Sequence, residues 1–156
     1  MNPDNSILKA KIILMAEDDG DDRLLAKDAL AESGLGEDLY FVDNGEELLD
    51  YLLQRGKFNA QTPQPGLILL DLNMPVKDGR EVLQEIKSHA ALRRIPVVVL
   101  TTSRADTDID LIYHLGANSF ITKPVRYDTL VEVMRAIGQY WFKTVELPAL
   151  TNPNHA

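Results

Sequence analysis

The chain has 156 residues, 45% of them hydrophobic and 26% charged, with 16 basic and 24 acidic side chains and a formal net charge of −8. That is enough chain for one ordinary domain with a real core, but not for that domain plus a separate DNA-binding or catalytic one. The acidic balance argues against direct nucleic-acid binding and a polybasic membrane anchor, and the absence of cysteine excludes disulfides, thiolate metal sites and cysteine nucleophiles.

Residues 1–9 read as a tail. Their start, Met1-Asn2-Pro3-Asp4-Asn5, lacks the basic-then-apolar pattern of an export signal, and no apolar run approaches the roughly 18 residues of a membrane span. The expected compartment is therefore the cytoplasm. Ile12–Ala16 is the first short apolar run and reads as a strand, followed by an amphipathic stretch, Asp22–Ser33, closed by Gly34 and Gly36. A second strand is expected at Leu39–Val42 and a second helix at Glu46–Arg55. The stretch Gly56–Gly66 is then long for a helix-to-strand connection, usually about 2–6 residues. It reads equally as a functional surface loop or a tolerated insertion. Leu67–Leu70 and Val97–Leu100 are continuous Leu/Ile/Val runs, as expected of central parallel strands buried on both faces. Pro96 starts the second of them, where its missing N–H is tolerated. Helices are expected at Arg80–Ser88, Asp106–Leu115 and Tyr127–Val145, with a last strand at Ser119–Thr122; Gly116 follows the fourth helix and residues 147–156 read as a tail. Five strands each followed by a helix over short connections predict an α/β fold with a doubly wound parallel sheet.

In such a sheet ligands bind beyond the carboxyl ends of the strands. Those ends read Glu17-Asp18-Asp19, Asp71-Leu72-Asn73, Thr101-Thr102 and Lys123-Pro124. Three carboxylates thus converge from two strands. Two like charges about 4 Å apart repel by about 1 kcal/mol in water and about 4 kcal/mol at an effective dielectric of 20. A hard divalent cation with oxygen ligands would offset this, and Mg²⁺ is held by one or two carboxylates together with phosphate oxygens and water. With Lys123 and Thr101 on the same rim, the set suits a phosphoryl group carried on a carboxylate nucleophile. Asp19, Asp21 and Asp22 read more simply as a helix cap and first turn.

Taken in order, the acidic pair Glu17-Asp18, the block Leu69-Leu70-Asp71-Leu72-Asn73-Met74-Pro75 with Asp78-Gly79, then Thr101 and Lys123-Pro124 resemble a response-regulator receiver domain of two-component signalling. Thr101 lies 30 residues after Asp71, and Lys123 lies 22 after Thr101, as in that family. The resemblance covers about residues 10–142. It implies a flavodoxin-like sheet of order 2-1-3-4-5 with five helices, in a receiver domain spanning 10–146. It also implies that Asp71 is the phosphoacceptor, that Glu17, Asp18, Asp71 and the backbone carbonyl of Asn73 hold Mg²⁺, and that Thr101 and Lys123 bind phosphoryl oxygens. Thr101 and Phe120 take the switch positions; Phe120 lacks the hydroxyl of a tyrosine there. Thr102 stands where Ala or Gly is frequent, and its bulk is expected to lengthen the life of the phosphoryl group. The long loop, the block Met74–Leu83 and the aromatic end Gln139-Tyr140-Trp141-Phe142-Lys143 are similar to the single-domain regulators that partner phytochrome histidine kinases. The implied partners are such a kinase and a histidine phosphotransfer protein.

In the last helix Leu130, Val133, Met134, Ile137 and Trp141 form one apolar stripe toward the sheet. Val131, Tyr140, Phe142 and Val145 fall off it. Either the aromatic residues cap the core edge, or Tyr140, Trp141, Phe142 and Val145 offer a homodimer interface. Two further readings compete with a phosphorylated receiver. One is a receiver-like module that binds partners without phosphorylation. The other is an Asp-nucleophile phosphatase, disfavoured because Asn73 stands where such enzymes use a second Asp as acid and base.

Overall fold

The computed structural model describes residues 12–34, 38–102 and 106–148. Strand and helix alternate as β1 (Ile12–Ala16), α1 (Gly20–Ser33), β2 (Asp38–Val42), α2 (Gly45–Leu53), β3 (Leu67–Leu70), α3 (Gly79–Ser88), β4 (Val97–Thr101), α4 (Asp106–His114), β5 (Ser119–Thr122) and α5 (Tyr127–Gly138). The strands pair in parallel in the order β2-β1-β3-β4-β5. This is the flavodoxin-like order 2-1-3-4-5 with five helices that was expected. The expected tails lie outside the described residues apart from 147 and 148, as does Gly36.

Residue alternation along the strands divides the core. Leu14, Ala16, Ile68, Leu70, Val97 and Val99 face one layer, where they meet Leu48, Leu52, Val82, Leu83, Ile86 and Ile112 of α2, α3 and α4. Ile13, Met15, Leu67, Leu69, Val98 and Leu100 face the other, packed by Ala26, Ala29 and Leu30 of α1 and Leu130, Val131, Met134 and Ile137 of α5. β3 and β4 are buried throughout, which is why their sequences carry no polar alternation. Among the described residues no helix is long and apolar enough to cross a membrane.

Several boundaries differ from expectation for local reasons. α1 begins at Gly20 because the Asp19 carboxylate accepts the N–H groups of Asp21 (2.8 Å) and Asp22 (3.3 Å), as an N-cap does. Gly34, at φ 76°, closes the same helix in the left-handed region. α2 stops at Leu53, where Gln54 turns left-handed (φ 58°). The long connection that follows is packed down: Tyr51 donates its hydroxyl to the Pro63 carbonyl at 2.6 Å, and Phe58 lies 4.9 Å from the Tyr51 ring.

The last helix departs most. Val131, expected off the apolar stripe, is buried, because α5 packs against α1 as well as against the sheet. Beyond Gly138 the chain widens into a π-helical turn, Gln139–Thr144, in which the Val145 N–H reaches the Tyr140 carbonyl at 3.0 Å. The added residue per turn lets Trp141 and Phe142 both pack, half-buried, on the α1/α5 side of the core.

Candidate functional site

The register fixes which residues meet at the carboxyl ends. Ala16 is opposite Leu70, so Glu17 and Asp71 leave the sheet side by side. Thr101 is opposite Thr122, so Lys123 follows directly beside it, its N–H donating to the Thr101 carbonyl at 2.7 Å. Glu17 and Thr101 are the buried polar pair among the described residues, 3% and 0% exposed. A buried carboxylate is costly unless paired. Lys123 supplies the pairing: its Nζ lies 2.8 Å from Glu17 Oε1, 3.3 Å from Asp71 Oδ2 and 3.8 Å from Asp22 Oδ2. Burial alone would lower the Lys123 pKa. The hydrogen bond to Glu17 and the charges of Asp71, Glu17 and Asp22 outweigh it and hold the ammonium above the usual lysine value.

Asp71 is bonded on both oxygens. Its Oδ1 accepts the Thr101 hydroxyl at 3.0 Å and the Asn73 N–H at 3.0 Å, and its Oδ2 faces Lys123. The loop that follows is pressed close to α3. Gly79 sits where a Cβ would come within 2.7 Å of the Asp71 carbonyl oxygen and 2.8 Å of Leu72 Cα, so only glycine lets the helix start there. Asp78 caps that helix through the Arg80 N–H at 2.8 Å. Within the loop Val76 adopts φ 69° and is 74% exposed, with the Lys77 N–H turned back to the Pro75 carbonyl at 2.7 Å. This is a strained γ-turn at a β-branched residue.

The structure thus brings Glu17, Asp71, Thr101 and Lys123 into one bonded cluster. Asp18 is exposed next to Glu17, and of the three expected carboxylates it is the one that Lys123 does not engage. Among the described residues no three carboxylate or imidazole side chains stand close enough together to cage a metal ion; Lys123 stands between Glu17 and Asp71. The donor set nonetheless suits a hard divalent cation in its chemistry: carboxylates from two neighbouring strand ends, one of them on the surface, and the Asn73 carbonyl two residues from Asp71. Thr102 is exposed beside Thr101. Phe120 is half-buried against the α2/α3 side of the core, and its N–H donates to the Tyr113 hydroxyl of α4 at 3.1 Å. Of the residues expected at an interface, Tyr140 is exposed and meets Trp141 edge-on at 5.0 Å, whereas Trp141, Phe142 and Val145 are half-buried.

Three participants escaped the sequence reading. Arg23 donates through Nε to the Glu17 carbonyl at 2.6 Å and pairs with Asp43. Arg80 joins Asp78 to Asp108 of α4, at 3.1 and 2.8 Å. Tyr113 is the third. The two arginines carried a signal: each is a cation in the first turn of a helix, where the dipole disfavours it, so each needs another reason to be there.

The profile of the response regulator receiver domain matches residues 13–135. Response regulator Rcp1 of Synechocystis is 42% identical over 139 residues, spanning 89% of this chain and 94% of that protein. Among solved structures, the phosphorylated cyanobacterial phytochrome response regulator RcpA superposes with a TM-score of 0.83 at 44% identity, over 90% of this chain and 99% of that one. The Mn²⁺-bound form of Rcp1 superposes with a TM-score of 0.81 at 42% identity, over 88% and 99%.

Proposed function

The chain belongs to the response regulator receiver domains, and on that premise we propose that Asp71 accepts a phosphoryl group from a sensor histidine kinase and converts it into a binding signal, with residues 10–146 as the receiver unit. The observation that carries this reading is the Asp71 carboxylate set between the Thr101 hydroxyl at 3.0 Å and the Lys123 ammonium at 3.3 Å. An Asp71 oxygen attacks phosphorus, the bond from phosphorus to the donor's imidazole nitrogen breaks, and an acyl phosphate remains on the side chain. The donor nitrogen keeps the electron pair of the broken bond. Glu17, Asp18, Asp71 and the Asn73 carbonyl are the residues that would hold Mg²⁺, which when bound neutralises charge on the transferring group. Lys123 supplies a fixed positive charge for the same oxygens, and Thr101 a hydroxyl.

The phosphoryl group adds about −1.5 to −2 charges at the mouth of this pocket. It can shift the molecule only by binding one arrangement better than another. The arrangement it favours has the Thr101 hydroxyl, which here bonds Asp71 itself, moved onto a phosphoryl oxygen and Phe120 set inward into the space it leaves, and the α4–β5–α5 surface reads that choice out. Similarity to the phytochrome response regulator RcpA supports a phytochrome-type kinase as donor, and the cytoplasm is the compartment proposed for the exchange. A histidine phosphotransfer protein is a second partner, and a homodimer through the α4–β5–α5 face or the Tyr140–Val145 end is the form of output. Phosphotransfer from autophosphorylated histidine kinases, followed by intact-mass measurement, tests the reading. Wild type should gain about 80 Da and Asp71→Asn nothing; equal labelling of the two, or none in either with acetyl phosphate and Mg²⁺, overturns it.

A further inference from the structure

Arg23 is more heavily anchored than a surface arginine requires. Its Nε donates to the Glu17 carbonyl at 2.6 Å, its Nη2 pairs with Asp43, and its guanidinium lies 5.2 Å from the centre of the Phe41 ring. Three elements meet in one side chain: the first turn of α1, the end of β1, and β2 with the residue that follows it. The Glu17 carbonyl belongs to the peptide plane joining Glu17 to Asp18. Pinning that plane sets the direction in which Asp18 leaves the backbone. In the next peptide plane the Asp19 N–H donates to Glu17 Oε2 at 3.2 Å, so the peptides on both sides of the Asp18 Cα are held. Asp18 is the carboxylate of the expected ligand set that Lys123 leaves unengaged, and hence the one whose placement must come from the backbone.

We infer that Arg23 is a positioning residue for the divalent-cation site, acting through the Glu17–Asp18 peptide to aim the Asp18 carboxylate. The inference rests on the proposed function above. A guanidinium is required because its fork reaches the carbonyl and the Asp43 carboxylate together while its face covers Phe41; an ammonium makes one point contact. Groups that orient metal ligands without touching the metal are worth about 10–100-fold in affinity.

The test is Mn²⁺ affinity measured by electron paramagnetic resonance or calorimetry on the full chain, with urea melts for stability. Arg23→Ala and Arg23→Lys should both weaken Mn²⁺ binding by about ten-fold or more. Asp43→Ala, which removes the outer tether and leaves the carbonyl bond, should weaken it by about three-fold at most while lowering stability similarly. If Arg23→Ala is poorly folded, Arg23→Lys decides alone. Mn²⁺ affinity unchanged in the folded Arg23 variants, or weakened equally by Asp43→Ala, overturns the positioning role and leaves the proposed function standing. Wild type that binds no Mn²⁺ overturns both.

Discussion

Replacing Lys123 by methionine removes a charge but keeps most of the stem, so the loss reports the ion pairs rather than the packing. What remains is Glu17, 3% exposed, with its Oε1 stripped of a partner that stood at 2.8 Å, beside an Asp71 that has lost the same cation from 3.3 Å. Breaking a buried pair from one side costs about 3–5 kcal/mol, because the surviving charge is left uncompensated. For a chain of this length that is a fall in melting temperature of about 10 °C. The raised pKa of Lys123 means that its stabilisation is fully present below the ordinary lysine value and is lost only as pH rises through the folded-state value. At neutral pH the full effect is therefore available. Glu17→Gln in the same background should restore most of the loss, and alone should be neutral or stabilising, since it relieves repulsion with Asp71. Urea melts of the four proteins form the cycle. A loss below about 1 kcal/mol for Lys123→Met, with no coupling to Glu17, would mean that water screens the cluster as it does a surface pair, and the electrostatic account of the site would fall.

Three further outcomes follow from particular contacts. Gly79→Ala should cost about 1–3 kcal/mol in urea melts and slow labelling by acetyl phosphate, because its Cβ meets the Asp71 carbonyl oxygen at 2.7 Å and must displace the loop. The Tyr51 hydroxyl is pushed up to about 12 by burial and by the nearby Tyr40, so the folded state favours its neutral form. Stability from this group is whole below pH 10 and fades between about 10 and 12, by at most about 2–3 kcal/mol, and Tyr51→Phe should remove that slope in alkaline melts. Thr102→Ala should shorten the lifetime of the phosphorylated protein measured by loss of label, and an unchanged decay rate would dismiss Thr102 as a shield.

The sheet was readable because Leu67–Leu70 and Val97–Leu100 are all Leu, Ile and Val, and because acid, threonine and lysine fall at the ends of the first, third, fourth and fifth strands. α1 was harder to bound. Its start depends on Asp19 turning its side chain to Asp21 and Asp22, a local bond that apolar periodicity does not record. The partners of α5 were read from a single stripe, yet Val131 is buried because α1 lies alongside, a contact between elements about a hundred residues apart. Trp141 and Phe142 point to the same core only because the helix widens there, and no composition rule announces a π-turn. The strain at Val76 was equally invisible, since valine gives no hint of a left-handed backbone. Arg23 shows the opposite case: its position against the helix dipole was in view, but its meaning came only with the carbonyl it holds.

The bond from the Phe120 amide to the Tyr113 hydroxyl has a bearing on how copies of this molecule can associate. β5 is the border of the sheet, and an open border invites a foreign strand to zip on, often irreversibly. Here one amide of that border, that of Phe120, is occupied by a side chain from the adjoining helix. A foreign strand would have to displace that bond to zip on, so contacts between side chains, which come apart more readily, are the easier way for two copies to meet across this face.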